Sequence, residues 1–145
     1  MHIKLTNGQP EKYSIGQLRR DNPQVSFPKV PSEDLLASYD VYPYTRPDRP
    51  VYDALTANVV DGNFEQNTVG NWVMPWVVEQ LPQDKAEANI RSRRDRSLQE
   101  TDWIVIKAYE RGEGIPAEWE VYRQALRDIT AQEGFPYNVT WPLKP

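Results

Sequence analysis

The sequence predicts an α+β protein: a small antiparallel β lobe over residues 1–81, then a helical lobe over residues 82–145 with two main helices and a short one. Three observations carry this. Composition shifts near Leu81, from Val, Tyr, Pro, Asn and Gly to Arg, Glu, Ala and Gln. Alternating apolar runs broken by turn residues fill the first part. Apolar residues spaced by three and four dominate the end of the second.

In the first lobe, Ile3 to Leu5 followed by Asn7-Gly8 is a strand-and-turn signal, because both turn residues tolerate positive φ. Ser14 is placed to cap a short helix over Ile15 to Arg20, with Ile15 and Leu18 on one face and Asn22-Pro23 as the stop. Ser32 is placed to start another, with Glu33 and Asp34 in its first turn. Prolines 43, 47 and 50 make VYPYTRPDRP extended and argue against a central strand. LTANVVDGNFEQ and NWVMPWVVEQL read as two strands joined around Asn67 to Asn71. Trp72, Met74, Trp76 and Val78 alternate along the second, and Pro75 marks an edge or a bulge.

From Pro82 a helix runs to about Thr101, with Asp84 and Glu87 in its first turns. Its apolar stripe is thin: Ala86, Ile90 and Leu98 recur at multiples of four, with Arg94 in the gap, so it is mostly solvated or meets a partner. WIVIKAYERG reads as a short apolar helix ended by Gly112 and Gly114. A last helix starts near Pro116 with Trp119, Tyr122, Leu126 and Ile129 on one face. Gly134 and Pro136 end it, and an aromatic tail, FPYNVTWPLKP, follows.

The chain has 145 residues, enough for one domain or two small lobes, and its apolar fraction of 39% is low for a compact monomer. Five Trp, eight Tyr and thirteen Pro supply rigid loops and aromatic anchors suited to a small core or an assembly surface. A net charge of -4 argues against nucleic acid as partner. With no cysteine, disulfides and thiolate metal sites are excluded. No segment has the roughly 20 apolar residues needed to span a bilayer. MHIKLTNGQPEKYS lacks a signal-peptide core, which predicts folding in a cytoplasm.

Little in the sequence points to catalysis. His2 is the single histidine, so a triad or a histidine metal site would hang on that terminus. Glu118 and Glu120 are two apart on a helix and point different ways. RGEG, Arg111 to Gly114, lacks phosphate-loop spacing and reads as a turn. No catalytic, cofactor or metal residues are assigned, and no cofactor is expected. Arg91, Arg93, Arg94 and Arg96 form a basic cluster that fits either an acidic or phosphate contact, or a solvated face paired with Glu87, Asp95 and Glu100. The tryptophans suit two small cores, whereas Phe135, Tyr137 and Trp141 on a Pro-rich arm suit docking into a groove, its own or a neighbour's. The candidate partner contacts, chosen for expected exposure, are Trp72, Trp76, Phe135, Tyr137 and Trp141 as anchors, with Arg91, Arg94 and Arg96 as polar contacts. A binding or assembly protein is favoured over an enzyme.

Residues from about 92 to 145 also resemble the C-terminal module of phage tail assembly chaperone proteins. The likeness rests on Arg94-Asp95-Arg96, Glu100 to Trp103, Pro116, Trp119 to Ile129 and Phe135 to Pro142, in that order. Further upstream, KLTNGQPEKYSIGQLRRDNPQVSFP is similar to segments of small tail-region proteins of phages. The resemblance implies a non-catalytic helper in assembling tail or tail-fibre proteins in the host cytoplasm, with a phage tail or fibre protein as partner and self-association within a tail assembly as a further option. Retention in the virion tail, at a fibre tip or as a connector, is the alternative. A cell-wall-glycan hydrolase using paired carboxylates is the third reading. IVIKAYERGEGIPAE is longer and more apolar than a plain proline loop, and either buries the region of Trp103 or docks elsewhere.

Overall fold

A computed structural model describes residues 1–145. Its elements, in chain order, are β1 (His2–Thr6), β2 (Gln9–Tyr13), α1 (Ile15–Asp21), α2 (Glu33–Ala37), β3 (Val41–Thr45), β4 (Ala57–Asp61), β5 (Glu65–Gln66), β6 (Trp72–Val73), β7 (Trp76–Gln80), α3 (Gln83–Gln99), α4 (Asp102–Arg111) and α5 (Ala117–Arg127). The order is α+β: a sheet region with two short helices between β2 and β3, then the three longer helices. The chain divides into two compact units: Met1–Val51 with Val59–Val78, and Tyr52–Asn58 with Glu79–Pro145.

In the first unit, β1 and β2 form a hairpin whose turn residues Asn7 and Gly8 have φ of 52° and 78°. Glycine suits this turn because positive φ costs it no Cβ clash. The five-stranded sheet has the order β2-β1-β3-β6-β5. It is antiparallel except for the parallel pair of β3 with β6, Tyr44 opposite Trp72. Ser14 and Ser32 cap α1 and α2, their hydroxyls accepting from the amides of Gln17 at 3.1 Å and Leu35 at 3.3 Å.

Val41–Thr45 was expected to avoid a central position, and it occupies one, between β1 and β6. The Tyr44 amide donates to the Met1 carbonyl at 3.1 Å, so Tyr42 and Tyr44 share the β1 side of the ladder. The nitrogen of Pro43 then faces the other side, where the pairing with β6 begins only at Tyr44. No ladder hydrogen bond is lost, which is why proline is tolerated here. The strand also carries a core on each face: Val41 packs with Leu18 and Leu36, while Tyr44 packs with Ile3 and Met74.

The hairpin expected around Asn67 to Asn71 is present, with Glu65 opposite Val73 and Gln66 opposite Trp72. The Asn67 side chain closes the turn by accepting from the amides of Val69 and Asn71. Each long arm, expected as one strand, is two. Gly62 to Phe64 separates β4 from β5, and Met74-Pro75 separates β6 from β7. The Gly62 amide bonds the Pro75 carbonyl at 2.8 Å, so the breaks meet. Beyond them, β4 and β7 pair as a separate two-stranded ribbon. Trp72 and Trp76 therefore do not share one strand.

In the second unit, α3 starts after Pro82, α4 ends at Gly112 (φ 64°) and α5 starts after Pro116. The core joins Ile90 of α3 to Tyr122, Leu126 and Ile129, the last lying in a 3-10 turn over Asp128–Ala131. Arg123 of α5 is buried and donates to the Leu98 carbonyl at 2.9 Å, to the Thr101 hydroxyl and to Asp102 Oδ1 at 2.7 Å. Its guanidinium thereby ties together the end of α3, the start of α4 and α5.

Two outcomes follow from these contacts. Arg123→Ala removes the hydrogen bonds to the fully buried Thr101 hydroxyl, to Asp102 and to the Leu98 carbonyl, which keeps the Thr101 amide and hydroxyl as donors, and chemical denaturation should show a loss of about 1–3 kcal/mol. In the first unit, Asp61 accepts from Lys12 at 2.7 Å and from Arg46, and the Lys12 hydrogen bond, ahead of Arg46, holds its carboxyl below the ordinary value. Because the folded value is the lower one, this stabilisation is full above the unfolded Asp value of about 3.9 and is lost as pH falls through the folded one. A carboxyl-carbon NMR titration should place the Asp61 midpoint below that of Asp61 in Lys12→Gln.

Candidate partner-binding site

The C-terminal arm closes on its own unit. Gly134 makes this possible: a Cβ there would lie 2.3 Å from the Asn138 carbonyl oxygen, so only glycine allows the turn. Pro136 is fully buried, and Phe135, Val139 and Trp141 pack against the Ile90–Tyr122–Leu126–Ile129 core. The Gln132 side chain grips Thr140 from both sides, donating to its carbonyl at 2.9 Å and accepting from its amide at 2.8 Å. The Tyr137 hydroxyl donates to the Leu81 carbonyl at 2.8 Å.

Helix α3 supplies the other half of this clasp. The Arg91 guanidinium lies 5.3 Å from the Phe135 ring centroid, and that of Arg93 lies 4.2 Å from the Trp141 ring. Cation–π contacts at exposed sites contribute about 0.5–1 kcal/mol each. Arg91 also bonds Glu87 one turn back at 2.7 Å. Hydrogen bonds from Gln83 and then Arg91 lower the Glu87 carboxyl below its ordinary value. Arg94 pairs with Asp95 at 2.7 Å. Arg96 lines a groove of about 450 Å3 together with Asn89, Ser92, Arg93 and Ser97.

The candidate contacts thus fall in two places. Arg91, Arg94, Arg96, Phe135, Tyr137 and Trp141 lie in the second unit, where α3 and the arm bring Arg91 to Phe135. Trp72 and Trp76 lie in the first unit. Trp72 packs on the Ile3–Tyr44–Met74 core. Trp76 lies under Arg46, 4.1 Å from its ring, and Arg49, at 5.7 Å, with its indole N–H donating to the Pro47 carbonyl at 3.0 Å. No group of three or more His, Asp and Glu side chains gathers to hold a metal ion.

Trp103, Ile106 and Tyr109 were not among the candidate contacts, yet they form an exposed surface. Helix α4 buries Ile104 and Ala108 and leaves Trp103 58% exposed, Ile106 57% and Tyr109 87%. Of the two alternatives for this segment, burial of Trp103 is not what the fold does. The three residues are spaced i, i+3, i+6 along the side of α4 away from its buried residues. Lys107 lies over Trp103 at 5.7 Å. A signal existed: WIVIKAY is apolar nearly all round, more than a helix with one buried face can cover. A second apolar surface lies on α5 and the arm, where exposed Val121 and Leu143 flank a groove of about 580 Å3 with Ala117, Ala125, Pro142 and Pro145.

The helical unit thus keeps large apolar side chains exposed on α4, α5 and the arm. Residues 87–145 match the family model described as phage tail assembly chaperone protein. The match covers the C-terminal part of the chain and supports a role in phage tail assembly. No match was found among curated proteins or solved structures. No helix is long and apolar enough to cross a membrane.

The arm geometry gives a sharp expectation. Gly134→Ala must displace the Asn138 backbone, and thermal unfolding followed by tryptophan fluorescence should show a loss of about 1–3 kcal/mol.

Proposed function

We propose that the chain is a non-catalytic phage tail or tail-fibre assembly protein that binds a tail or fibre protein in the host cytoplasm and shields its apolar surface until it is incorporated. One observation carries this reading beyond the family match: the Trp103–Ile106–Tyr109 face of α4 lies within the matched residues and is more than half exposed at each of the three residues. Aromatic side chains on a folded helix lose little conformational entropy on binding and dominate interface energies. Residues 82–145 form the working module in this reading. Arg94 and Arg96 add polar contacts, Trp72 and Trp76 offer a further contact from residues 1–81, and Arg91, Phe135, Tyr137 and Trp141 hold the module closed.

Shielding of this kind suits a partner with unpaired strand edges or apolar tips before it trimerises or attaches. Self-association and retention as a virion component are separate outcomes that purified particles distinguish: stoichiometric chain in the virion marks a structural part, its absence a departing chaperone.

Co-expression with the tail and fibre proteins of the same phage, followed by affinity capture, tests the reading. Trp103→Ser with Ile106→Ser removes exposed side chains, so the fold should persist by circular dichroism. Capture of the partner should fall at least about tenfold, the loss expected when an aromatic anchor is removed. Undiminished capture by the double variant sinks the proposed surface. Capture of neither protein by the intact chain sinks the tail-binding reading.

A further inference from the structure

Following the arginine charges of α3 one at a time leaves two without a carboxylate. Arg91 is neutralised by Glu87 and Arg94 by Asp95. Around Arg93, the helix neighbours three and four residues away are Asn89, Ile90, Arg96 and Ser97, none acidic. Around Arg96 they are Ser92, Arg93, Gln99 and Glu100. Glu100, the single acid among them, meets Lys144 at 3.6 Å instead. Arg93 and Arg96 are therefore like charges at i and i+3, an arrangement that disfavours an isolated helix. It stands in a chain whose net charge is -4, where acids are the commoner residues.

The same two arginines line the groove of about 450 Å3, with the Ser92 and Ser97 hydroxyls beside them. Arg93 is held in place by stacking on Trp141. Stacking uses the face of a guanidinium and leaves its in-plane N–H donors free for a carboxylate. Asn89 is fixed as well, its amide donating to the Leu55 carbonyl at 2.9 Å. The groove thus has two forked cations that form no ion pair, one of them preorganised, with serine hydroxyls beside them and one carboxylate, Glu100, in its wall, where Lys144 meets it.

We propose that this groove docks an acidic, carboxylate-bearing segment of a partner protein. The proposal names the chemistry of the partner in the tail-assembly reading and rests on that reading. Charge complementarity selects the occupant. An acidic peptide can place one or two carboxylates against Arg93 and Arg96 in bidentate pairs. Nucleic acid needs a broad basic surface to displace its counterions, and here the groove carries only two arginines with Glu100 in its wall, in a chain of net negative charge.

The test uses the full chain and a fluorescently labelled hexaglutamate peptide, followed by anisotropy at low and physiological ionic strength. A single-stranded oligonucleotide and inorganic phosphate serve as competing probes. Binding of the peptide should weaken with salt and fall about tenfold in Arg96→Gln. Arg96→Lys should recover part of the loss, because it restores charge without the fork. Arg96 is exposed and pairs with nothing in the chain, so Arg96→Gln should keep the wild-type melting temperature. Arg93→Gln is a second variant: it should weaken the peptide similarly while also changing Trp141 fluorescence.

Peptide binding that is absent, or unchanged in Arg96→Gln, overturns the proposal. So does preferential binding of the oligonucleotide or of phosphate alone. Capture of the tail or fibre protein is read separately with Arg96→Gln. Normal capture by this variant removes the groove from the tail interface and overturns the proposal while leaving the tail-binding reading intact. Peptide binding through Arg96 with no tail protein captured by the intact chain fails the tail-binding reading instead.

Discussion

The buried guanidinium of Arg123 is the constraint on which the helical unit depends. Helices α3 and α4 are separated only by Glu100 and Thr101, so the end of one and the start of the other expose backbone groups in the same small space. There Arg123 donates to the Thr101 hydroxyl, adds a donor to the Leu98 carbonyl beside the Thr101 amide and hydroxyl, and reaches Asp102 beyond them. Burying a guanidinium is costly unless its donors are met, and here three acceptors from two helices meet them. The corner between α3 and α4 is thereby fixed against α5. That corner decides which side of α4 turns inward, with Ile104 and Ala108, and which side keeps Trp103, Ile106 and Tyr109 in water.

Helix α3 serves two ends with one short sequence. Its thin apolar stripe, Ala86 and Ile90, is fully buried and anchors the core. Its arginines divide by what they touch: Arg91 and Arg93 cover aromatic rings of the arm, Arg91 and Arg94 meet acids of their own helix, and Arg96 meets neither. The arm in turn protects the core at Ile129 and Leu126. Tail aromatics and basic helix therefore stabilise each other, and the exposed surface of the unit includes the Trp103–Tyr109 side of α4 and the Arg93–Arg96 groove.

Much of the secondary structure was legible because its signals are local. Ser14 and Ser32 accept from the amides three residues on, and Pro82, Gly112 and Pro116 mark helix ends by fixed or positive φ. The Asn67 to Asn71 turn closes through its own side chain. The central place of Val41–Thr45 was not legible, since it depends on which side of the ladder the Pro43 nitrogen faces, a matter of register with two other strands. The break at Met74-Pro75 was hidden for a related reason: alternation continued through it, while the backbone turned to meet Gly62. The exposed side of α4 was hidden because a helix apolar all round gives periodicity no face to choose.

The sequence by itself determined the α+β order, the starts of the helices, the stop of α4 at Gly112 and the likeness to a tail assembly module. These depend on backbone preferences and spacings that act within a few residues. The last helix, expected to reach Gly134, instead ends at Arg127 and passes into a 3-10 turn that carries Ile129. Only the tertiary structure decided that the aromatic arm packs on its own unit, that Arg123 ties three helices, and which arginines lack a carboxylate. Each of those depends on groups brought together from distant points in the chain, where burial and hydrogen-bond satisfaction, rather than local preference, select the arrangement.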